Sequence, residues 1–273
     1  MSIFKDDILN GYTALITGGG GDIGGEISTI FAAHGANVSI TSRKQERLDE
    51  AAASINEKTG SDVLTVAGDV RVYDQVENVV AKTAEKFGGI DILVNCAAGN
   101  FLAPITGLSP NAFRTVIDID LQGTFNMTKA CFPHLCSAGE KHRNANVLNI
   151  TATLHYTGTP FQAHAAAAKA GIDSFTRTCA NEWGIHGIRS NGIAPGPIGD
   201  TEGMRRLAPD KNEKDHAKLS VPLQRWGTKR EIADACVFLV SDASKFTTGA
   251  IIVIDGGSWI YRGGVGASKV GED

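Results

Sequence analysis

Short runs of apolar, often β-branched residues recur along the chain and alternate with longer stretches whose apolar residues are spaced three and four apart. Apolar runs of about four to eight residues, bounded by glycine, proline or polar residues, are typical of buried strands. The runs predict seven strands, at 12–17, 37–41, 63–67, 90–95, 146–150, 188–193 and 250–255. Between the third and fourth, helical spacing places one apolar face on Val76, Val79, Val80, Ala84 and Phe87.

Strands that alternate with helices favour a parallel sheet covered on both faces. We therefore predict an α/β fold, a single Rossmann-like doubly wound domain with a seven-stranded parallel sheet. No break in composition divides residues 1–273, so one domain is expected. The long polar segment 196–221, which is helix-prone in places, is predicted to be a lid over a substrate site.

Composition limits the classes of partner. With 273 residues, 42% hydrophobic and 21% charged, the chain can bury a substantial core, and its net charge of −4 gives no general attraction to nucleic acid or anionic membranes. Five cysteines without paired CxxC motifs predict buried free thiols and no metal site. No apolar run approaches the ~18 residues of a membrane span, and the first strand begins near Tyr12, so a soluble intracellular protein without a leader is expected.

A glycine cluster follows the first predicted strand and precedes a predicted amphipathic helix. Glycines let the backbone approach a pyrophosphate closely, and the helix N-terminus offers free N–H groups and partial positive charge. This order of strand, glycines and helix makes a nucleotide site a strong prediction. The predicted pyrophosphate-binding residues are Gly18, Gly19, Gly20, Gly21, Asp22, Ile23 and Gly24.

The end of the second strand indicates which dinucleotide binds. No acidic residue stands there to hold a ribose 2′-hydroxyl; Arg43, Lys44 and Arg47 cluster instead, and cations suit a 2′-phosphate. NADPH is therefore predicted over NADH, with a solvated basic helix start as the alternative. Asp69 and Val70, which end the third strand, are predicted to face the adenine.

The small residues that end the fourth strand are predicted to let a cofactor lie close. They are Asn95, Ala97, Ala98 and Gly99. Asn95 has two equally plausible roles, because its amide could serve the cofactor or bridge neighbouring strands.

These features together resemble the short-chain dehydrogenase/reductase family over essentially the whole chain. The matching stretches are "TGGGGDIG" (17–24), "NCAAG" (95–99), "APGPI" (194–198) and "IDGG" (254–257), in the family's order. The family pattern has glycine where this chain has Asp22. A carboxylate there would repel the pyrophosphate unless it turns outward to cap the helix.

A narrower resemblance joins the chain to one group within that family, the peroxisomal 2,4-dienoyl-CoA reductases. The stretches that carry it are "NCAAGNFL" (95–102), "DIDLQGTFN" (118–126), "NITATL" (149–154) and "APGPIGDTEGMRRL" (194–207). The resemblance implies NADPH-dependent reduction of 2,4-dienoyl-CoA to 3-enoyl-CoA in the β-oxidation of unsaturated fatty acids. It also implies a peroxisomal homotetramer, associating near "GAIIVIDGGSW" (249–259), although the last three residues, 271–273, are not a peroxisomal address.

Only one of the family's usual catalytic residues is retained. Alanine occupies the tyrosine position (Ala165) and the serine position (Ala152), Asp120 stands for the asparagine, and Lys169 is kept. Carbonyl reduction needs the hydroxyl donors, whose loss costs on the order of 10²-fold or more each in rate. A conventional ketone or alcohol oxidoreductase is therefore not expected.

Conjugate reduction of a dienoyl thioester makes a different demand, since hydride adds to the δ carbon and the proton goes to Cα. Asp120 and Lys169 are the predicted catalytic pair, with a water between them supplying the proton. A carboxylate beside an ammonium should have a lowered pKa, which favours the relayed water over direct transfer. A structural ion pair between two helices is the alternative.

His164 adjoins the missing tyrosine but is not the predicted substitute. At 100° per residue it lies about 140° around the helix from Lys169, so packing or lining an acyl pocket is favoured over catalysis. Thr151, Thr153 and Tyr156 are alternative donors that spacing does not separate.

The resemblance also implies residues for the rest of the site. Acyl-CoA contacts fall on Arg43, Arg71, Asn100, Phe101, Ser109, Pro110, Asn111 and Arg206, and further cofactor contacts on Lys169, Pro195, Gly196, Pro197, Ile198 and Thr201. Solvated surface arginines are the simpler alternative for the basic members. Two other functions remain open at this point: a catalytically inactive nucleotide-binding sensor or scaffold, and a reductase of another enoyl-CoA or of a carbonyl substrate.

Overall fold

The computed structural model describes residues 3–142, 144–207 and 221–261. Seven parallel strands form one sheet in the order β3-β2-β1-β4-β5-β6-β7. They are β1 Thr13–Thr17, β2 Asn37–Ser42, β3 Leu64–Ala67, β4 Ile92–Asn95, β5 Ala145–Ile150, β6 Ile188–Pro195 and β7 Ile251–Ile254. All seven predicted strands are confirmed, with ends that differ by one or two residues.

Helices connect the strands on both faces of this sheet, which confirms the doubly wound α/β prediction. They are α1 Asp22–Ala33, α2 Gln45–Thr59, α3 Tyr73–Phe87, α4 Pro110–Ile117, α5 Gly123–His142, α6 Leu154–Thr157, α7 Ala163–Trp183, α8 Glu202–Leu207 and α9 Lys229–Val240. Between α4 and α5, Asp118–Gln122 forms a π-helical turn. Of the predicted lid (196–221), the structure describes 196–207, which includes α8, and Val221; residues 208–220 and the Arg206 side chain lie outside the described residues.

Two apolar layers hold the helices to the sheet. Ile16 in β1 points into the layer beneath α1, α2 and α9, while its neighbour Leu15 points into the layer beneath α3 and α5. Both side chains are fully buried, as alternation along a strand covered on both faces requires. The predicted face of α3 is buried at Val76, Val79 and Val80.

The candidate ligand site lies where the order of the strands across the sheet reverses, between β1 and β4. From β1 the strands continue one way to β2 and β3, and the other way from β4 to β7. In open parallel sheets ligands bind beyond the carboxyl ends of the strands at such a switch point. The glycine loop after β1 and the "NCAAG" loop after β4 therefore face one crevice.

Other features of the described residues bear on the predictions. The five cysteines are free thiols, as predicted, with Cys131, Cys179 and Cys236 buried. None of the described helices is both long enough and apolar enough to cross a membrane. Strand β7 lies at an edge of the sheet. The subunit contact expected near this strand stays a prediction.

Candidate active site

The glycine loop forms a cradle that side chains would fill. Gly18 has a φ of +66°, and a Cβ at this residue would lie 3.0 Å from the Cys96 carbonyl oxygen. A Cβ at Gly24 would lie 2.3 Å from the Gly18 carbonyl oxygen. The backbone is therefore bare at the N-terminus of α1, whose first N–H groups have no partner within the helix. This arrangement fits a dinucleotide pyrophosphate.

A cavity of about 520 Å³ lies on one side of this loop. Arg43 and Arg47 line it together with Asp69, Val70 and the segment 97–99, and their assignment to an adenosine with a 2′-phosphate stays a prediction. Lys44 is the residue immediately before α2 begins.

The Asp69 carboxylate at this cavity is already engaged. It accepts a hydrogen bond from Arg71 Nε at 2.9 Å, and the Arg71 guanidinium holds the pKa of Asp69 below its usual value. Arg71 is thereby held by a residue that lines this cavity, and the charge of Arg43 also lowers the pKa of Asp69.

A second cavity of about 680 Å³ lies on the other side of the loop. The two cavities adjoin, because they share the lining residues Gly18, Gly21, Cys96, Ala98, Gly99 and Asn100, and together they are called the groove. We call the second cavity the reaction cavity. Its lining includes Asp120, Ala152, Ala165, Lys169, Pro195, Gly196, Pro197 and Thr201. The structure thus brings three predicted features to one cavity. They are the Asp120–Lys169 pair, the alanines at the family's serine and tyrosine positions, and most of the predicted residues of 195–201.

Asp120 and Lys169 meet across two helical elements. The π turn carries Asp120, α7 carries Lys169, and the Asp120 Oδ2 to Lys169 Nζ distance is 3.3 Å. Gly99 N–H donates to Asp120 Oδ1 at 2.7 Å, and Lys169 Nζ donates to the Ile150 carbonyl at 3.0 Å. Both side chains are at least nine-tenths buried. A π turn in a helix is frequent at functional sites, and here it points a carboxylate at the cavity.

Two details of this pair correct the sequence prediction. Burial raises the pKa of Asp120 above its ordinary value, although Lys169 and the Gly99 N–H oppose the shift. The lowered pKa was wrong because it counted the ammonium and not the loss of hydration at a side chain that is 1% exposed. The 3.3 Å separation also leaves no room for a water in line between the two groups. A relaying water has to contact both from the cavity side.

The three hydroxyl residues considered as substitutes for the missing tyrosine, Thr151, Thr153 and Tyr156, lie in two different surroundings. Thr151 and Thr153 line the reaction cavity. The Tyr156 hydroxyl instead donates to Asp173 Oδ2 at 2.9 Å, an oxygen that also contacts His155 Nε2. Burial, with this bond to a carboxylate, raises the pKa of Tyr156. Tyr156 therefore belongs to a cluster behind the cavity wall.

His164 is a packing residue in this structure. It is fully buried, and its ring lies 4.2 Å from the ring of Phe101, measured between centroids. Burial lowers the pKa of His164, which favours the neutral ring. Its neighbour Ala165 and Lys169 line the reaction cavity, in agreement with the helical positions that the sequence assigns.

Several predicted site residues have evident structural roles. The Asn95 amide donates to Asn149 in β5 and to Thr128 in α5, which is the bridging role among its two alternatives. Ser109 caps α4 by accepting from the Ala112 N–H at 3.1 Å, and Pro110 is the first residue of that helix.

Of the predicted residues Asn100, Asn111 and Ile198, only Asn100 is among the residues that line the two cavities. Asn100, which lines both cavities, donates to Gln162 at 2.6 Å. Asn111 is exposed on α4, and Ile198 is buried and bridges to Gly227.

Asp22 does not cap its own helix, so that alternative is wrong. No side-chain bond caps α1, and Asp22 Oδ2 instead accepts from the backbone N–H of Glu202, at the start of α8, at 2.7 Å. The carboxylate turns toward a helix that is 180 residues distant in sequence.

Some residues that line the reaction cavity were not foreseen from the sequence. They are Gln162 before α7, and Trp259 and Tyr261 beyond β7. The sequence does show aromatic residues directly after the last strand. They are far in sequence from the other motifs, however, so nothing in the sequence indicates that they line this cavity.

A family model described as "Enoyl-(Acyl carrier protein) reductase" matches residues 20–258. The chain belongs to the short-chain dehydrogenase/reductase family of oxidoreductases. A crystal structure of a short chain dehydrogenase from Bacillus anthracis superimposes with a TM-score of 0.82 and 38% identity, covering 93% of this chain and 99% of that one.

Among named relatives, the chain is similar to the peroxisomal 2,4-dienoyl-CoA reductase [(3E)-enoyl-CoA-producing] of Arabidopsis thaliana, with 46% identity over 96% of this chain and 89% of that protein. The protein of the same name from Rattus norvegicus is 45% identical over 94% of this chain and 87% of its own length.

Proposed function

We propose that this protein reduces 2,4-dienoyl-CoA to 3-enoyl-CoA with NADPH, in the peroxisomal degradation of unsaturated fatty acids. The observation that carries the proposal is the buried Asp120–Lys169 pair in a cavity where alanines replace both hydroxyl donors of carbonyl reduction. The names of the relatives support the same substrate and compartment.

The residues present fit the cofactor. The glycine cradle would hold the pyrophosphate, Arg43 and Arg47 the 2′-phosphate, and the wall formed by 195–197 with Lys169 the nicotinamide end. When bound, NADPH supplies a hydride, which the reaction adds to the δ carbon (C5) of the dienoyl thioester.

Asp120 is the proposed source of the proton that goes to Cα (C2). Burial raises its pKa, so its carboxyl can hold a proton and release it through a water in the cavity. The resulting carboxylate is then stabilised by Lys169 Nζ at 3.3 Å and by the Gly99 N–H at 2.7 Å. One hydride and one proton are added, and the remaining double bond lies between C3 and C4.

The two alanines set the substrate preference in this proposal. At Ala152 and Ala165 no hydroxyl is present to protonate a ketone oxygen, and the small side chains leave space beside Lys169 for the planar thioester. Thr151 and Thr153 are the hydroxyls of the described cavity wall nearest in sequence to Ala152. Thr151 Oγ1 donates to the Lys169 carbonyl at 3.4 Å, so Thr153 is the proposed donor to the thioester oxygen.

The test follows NADPH absorbance with 2,4-hexadienoyl-CoA, with crotonyl-CoA and with a simple ketone. We expect rapid oxidation with the dienoyl thioester and at least 10²-fold less with the ketone, since the ketone lacks a donor. Oxidation with crotonyl-CoA alone would indicate another enoyl-CoA reductase. NADPH binding without turnover of any substrate would contradict the proposal and favour a nucleotide sensor.

A further inference from the structure

Asp22 joins three segments that are distant in sequence. It begins α1, directly after four consecutive glycines, and its Oδ2 accepts from the Glu202 N–H at 2.7 Å. Its Oδ1 lies 4.0 Å from Nζ of Lys229, at the start of α9. The pyrophosphate loop, α8 and α9 therefore meet at one carboxylate.

Helix α8 is a wall of the reaction cavity. Thr201, Gly203 and Met204 line that cavity, whereas Glu202 and Arg205 face a separate polar cavity of about 490 Å³ outside it. Asp22 lines both cavities. Its bond to Glu202 therefore lies at the boundary between the two.

The start of α8 is fixed by two side chains of different origin. Thr201 Oγ1 donates to the Ile198 carbonyl at 2.9 Å and accepts from the Met204 N–H at 3.2 Å, so it caps the helix from within its own segment. Asp22 adds a bond from the nucleotide loop. A glycine at position 22, as the family pattern has, could not make it.

The orientation of Asp22 also limits its electrostatic cost to nucleotide binding. Its charge is directed toward Lys229 and the Glu202 N–H, and it stands in the first turn of α1, where the helix dipole favours an anion. A carboxylate held in this way can remain beside a pyrophosphate site while acting on α8.

We propose that Asp22 is a positioning residue that fastens α8 to the nucleotide loop, so that nucleotide binding orders one wall of the reaction cavity. Ligand binding that orders a shared element reduces the ordering cost for a second ligand. The benefit to acyl-CoA binding rests on the function proposed above, whereas the ordering of α8 by nucleotide does not.

Hydrogen exchange of the full-length protein, followed by mass spectrometry on peptides spanning 201–207, tests the proposal with NADP⁺ as the probe. We expect saturating NADP⁺ to slow exchange there in the wild type. Asp22→Asn, which keeps an acceptor oxygen and removes the charge, should retain most of the slowing. Asp22→Ala, which removes both, should lose it while still binding NADP⁺.

Lys229→Gln is the matched control, because it removes the charge partner and leaves the bond from Glu202. It should behave like the wild type. We also expect Asp22→Ala to raise KM for 2,4-hexadienoyl-CoA about three- to tenfold, the size of one lost charge-assisted hydrogen bond at a partly exposed site.

Undiminished slowing in Asp22→Ala, or no slowing by NADP⁺ in the wild type, would overturn the proposal. Failure of the proposed reaction gives a different result, since NADPH would not be oxidised by the dienoyl substrate although NADP⁺ still slowed exchange. Circular dichroism of each variant establishes that it is folded.

Discussion

At a pH above the pKa of Asp120, where its side chain is a carboxylate, replacing it by asparagine removes one charge from the buried pair and keeps the shape of the side chain. The amide oxygen can still accept from the Gly99 N–H, so the π turn should be preserved. Lys169 keeps its bond to the Ile150 carbonyl but loses its counter-charge at 3.3 Å. The substitution therefore separates charge from geometry.

The size of the stability effect follows from that distance. Unit charges 3.3 Å apart attract by about 5 kcal/mol at an effective dielectric constant of about 20, and part of this offsets the cost of burying them. Because removing one partner strands the other, we expect Asp120→Asn to lower the free energy of unfolding by about 3 kcal/mol. Urea denaturation followed by circular dichroism measures it.

The same substitution removes the proposed proton source, so kcat with 2,4-hexadienoyl-CoA should fall by about 10² to 10⁴-fold. Lys169→Met and the double variant are the controls: the double variant should regain much of the stability and none of the turnover. A folded Asp120→Asn enzyme with kcat within threefold of the wild type would refute the catalytic role and leave a structural ion pair. Strictly additive stability losses would refute the coupling.

Three further predictions concern Arg43, the pH dependence of kcat and the surface residue Glu231. Arg43→Ala should raise KM for NADPH about tenfold or more and change KM for NADH little; equal effects on both would contradict the 2′-phosphate assignment. Because burial raises the pKa of Asp120 and the acid form is the active one, kcat should be level at low pH and fall as pH rises through that pKa, whereas a kcat that rises with pH contradicts this. Hydrogen bonds from Arg225 and Thr228 lower the pKa of Glu231 to about 2 from 4.5. The ionised Glu231 therefore stabilises the folded protein above pH 4.5, and this stabilisation is lost as pH falls toward 2. At this exposed site it amounts to less than about 1 kcal/mol. The urea midpoints of wild type and Glu231→Gln should therefore converge as pH falls, and a constant difference would contradict it.

The fold was predictable because its signals are local. Each strand is a short apolar run bounded by turn residues, and each apolar face of a helix follows a 3.6-residue period, as in α3. Strand ends moved by one or two residues because the last hydrogen bonds of a strand depend on its neighbours; β6, for example, continues to Pro195 through its pairing with β7.

The candidate site was predictable where a motif fixes the position of a side chain. The glycine loop, Arg43 and the Asp120–Lys169 pair were all placed from sequence, and the structure brings each to the groove. The pKa of Asp120 was not predictable, because its direction depends on burial that no motif records.

The contact between Asp22 and Glu202, and the presence of Trp259 and Tyr261 in the reaction cavity, could not be predicted for a related reason. The bond from Glu202 to Asp22 spans 180 residues, and Trp259 reaches the reaction cavity from beyond the last strand. Such contacts are set by how distant segments pack together. A departure from the family pattern, as at Asp22, indicates where to look for them and leaves the partner unspecified.

The carbon that receives the hydride distinguishes reduction across the diene from ordinary enoyl reduction. The purified protein is given 2,4-hexadienoyl-CoA and NADPH that carries deuterium at the transferable position, in ordinary water, and the product is analysed by NMR. We expect deuterium at C5, a new proton at C2 and a double bond between C3 and C4. Deuterium at C3 with the double bond left between C4 and C5, as in ordinary enoyl reduction, would contradict it.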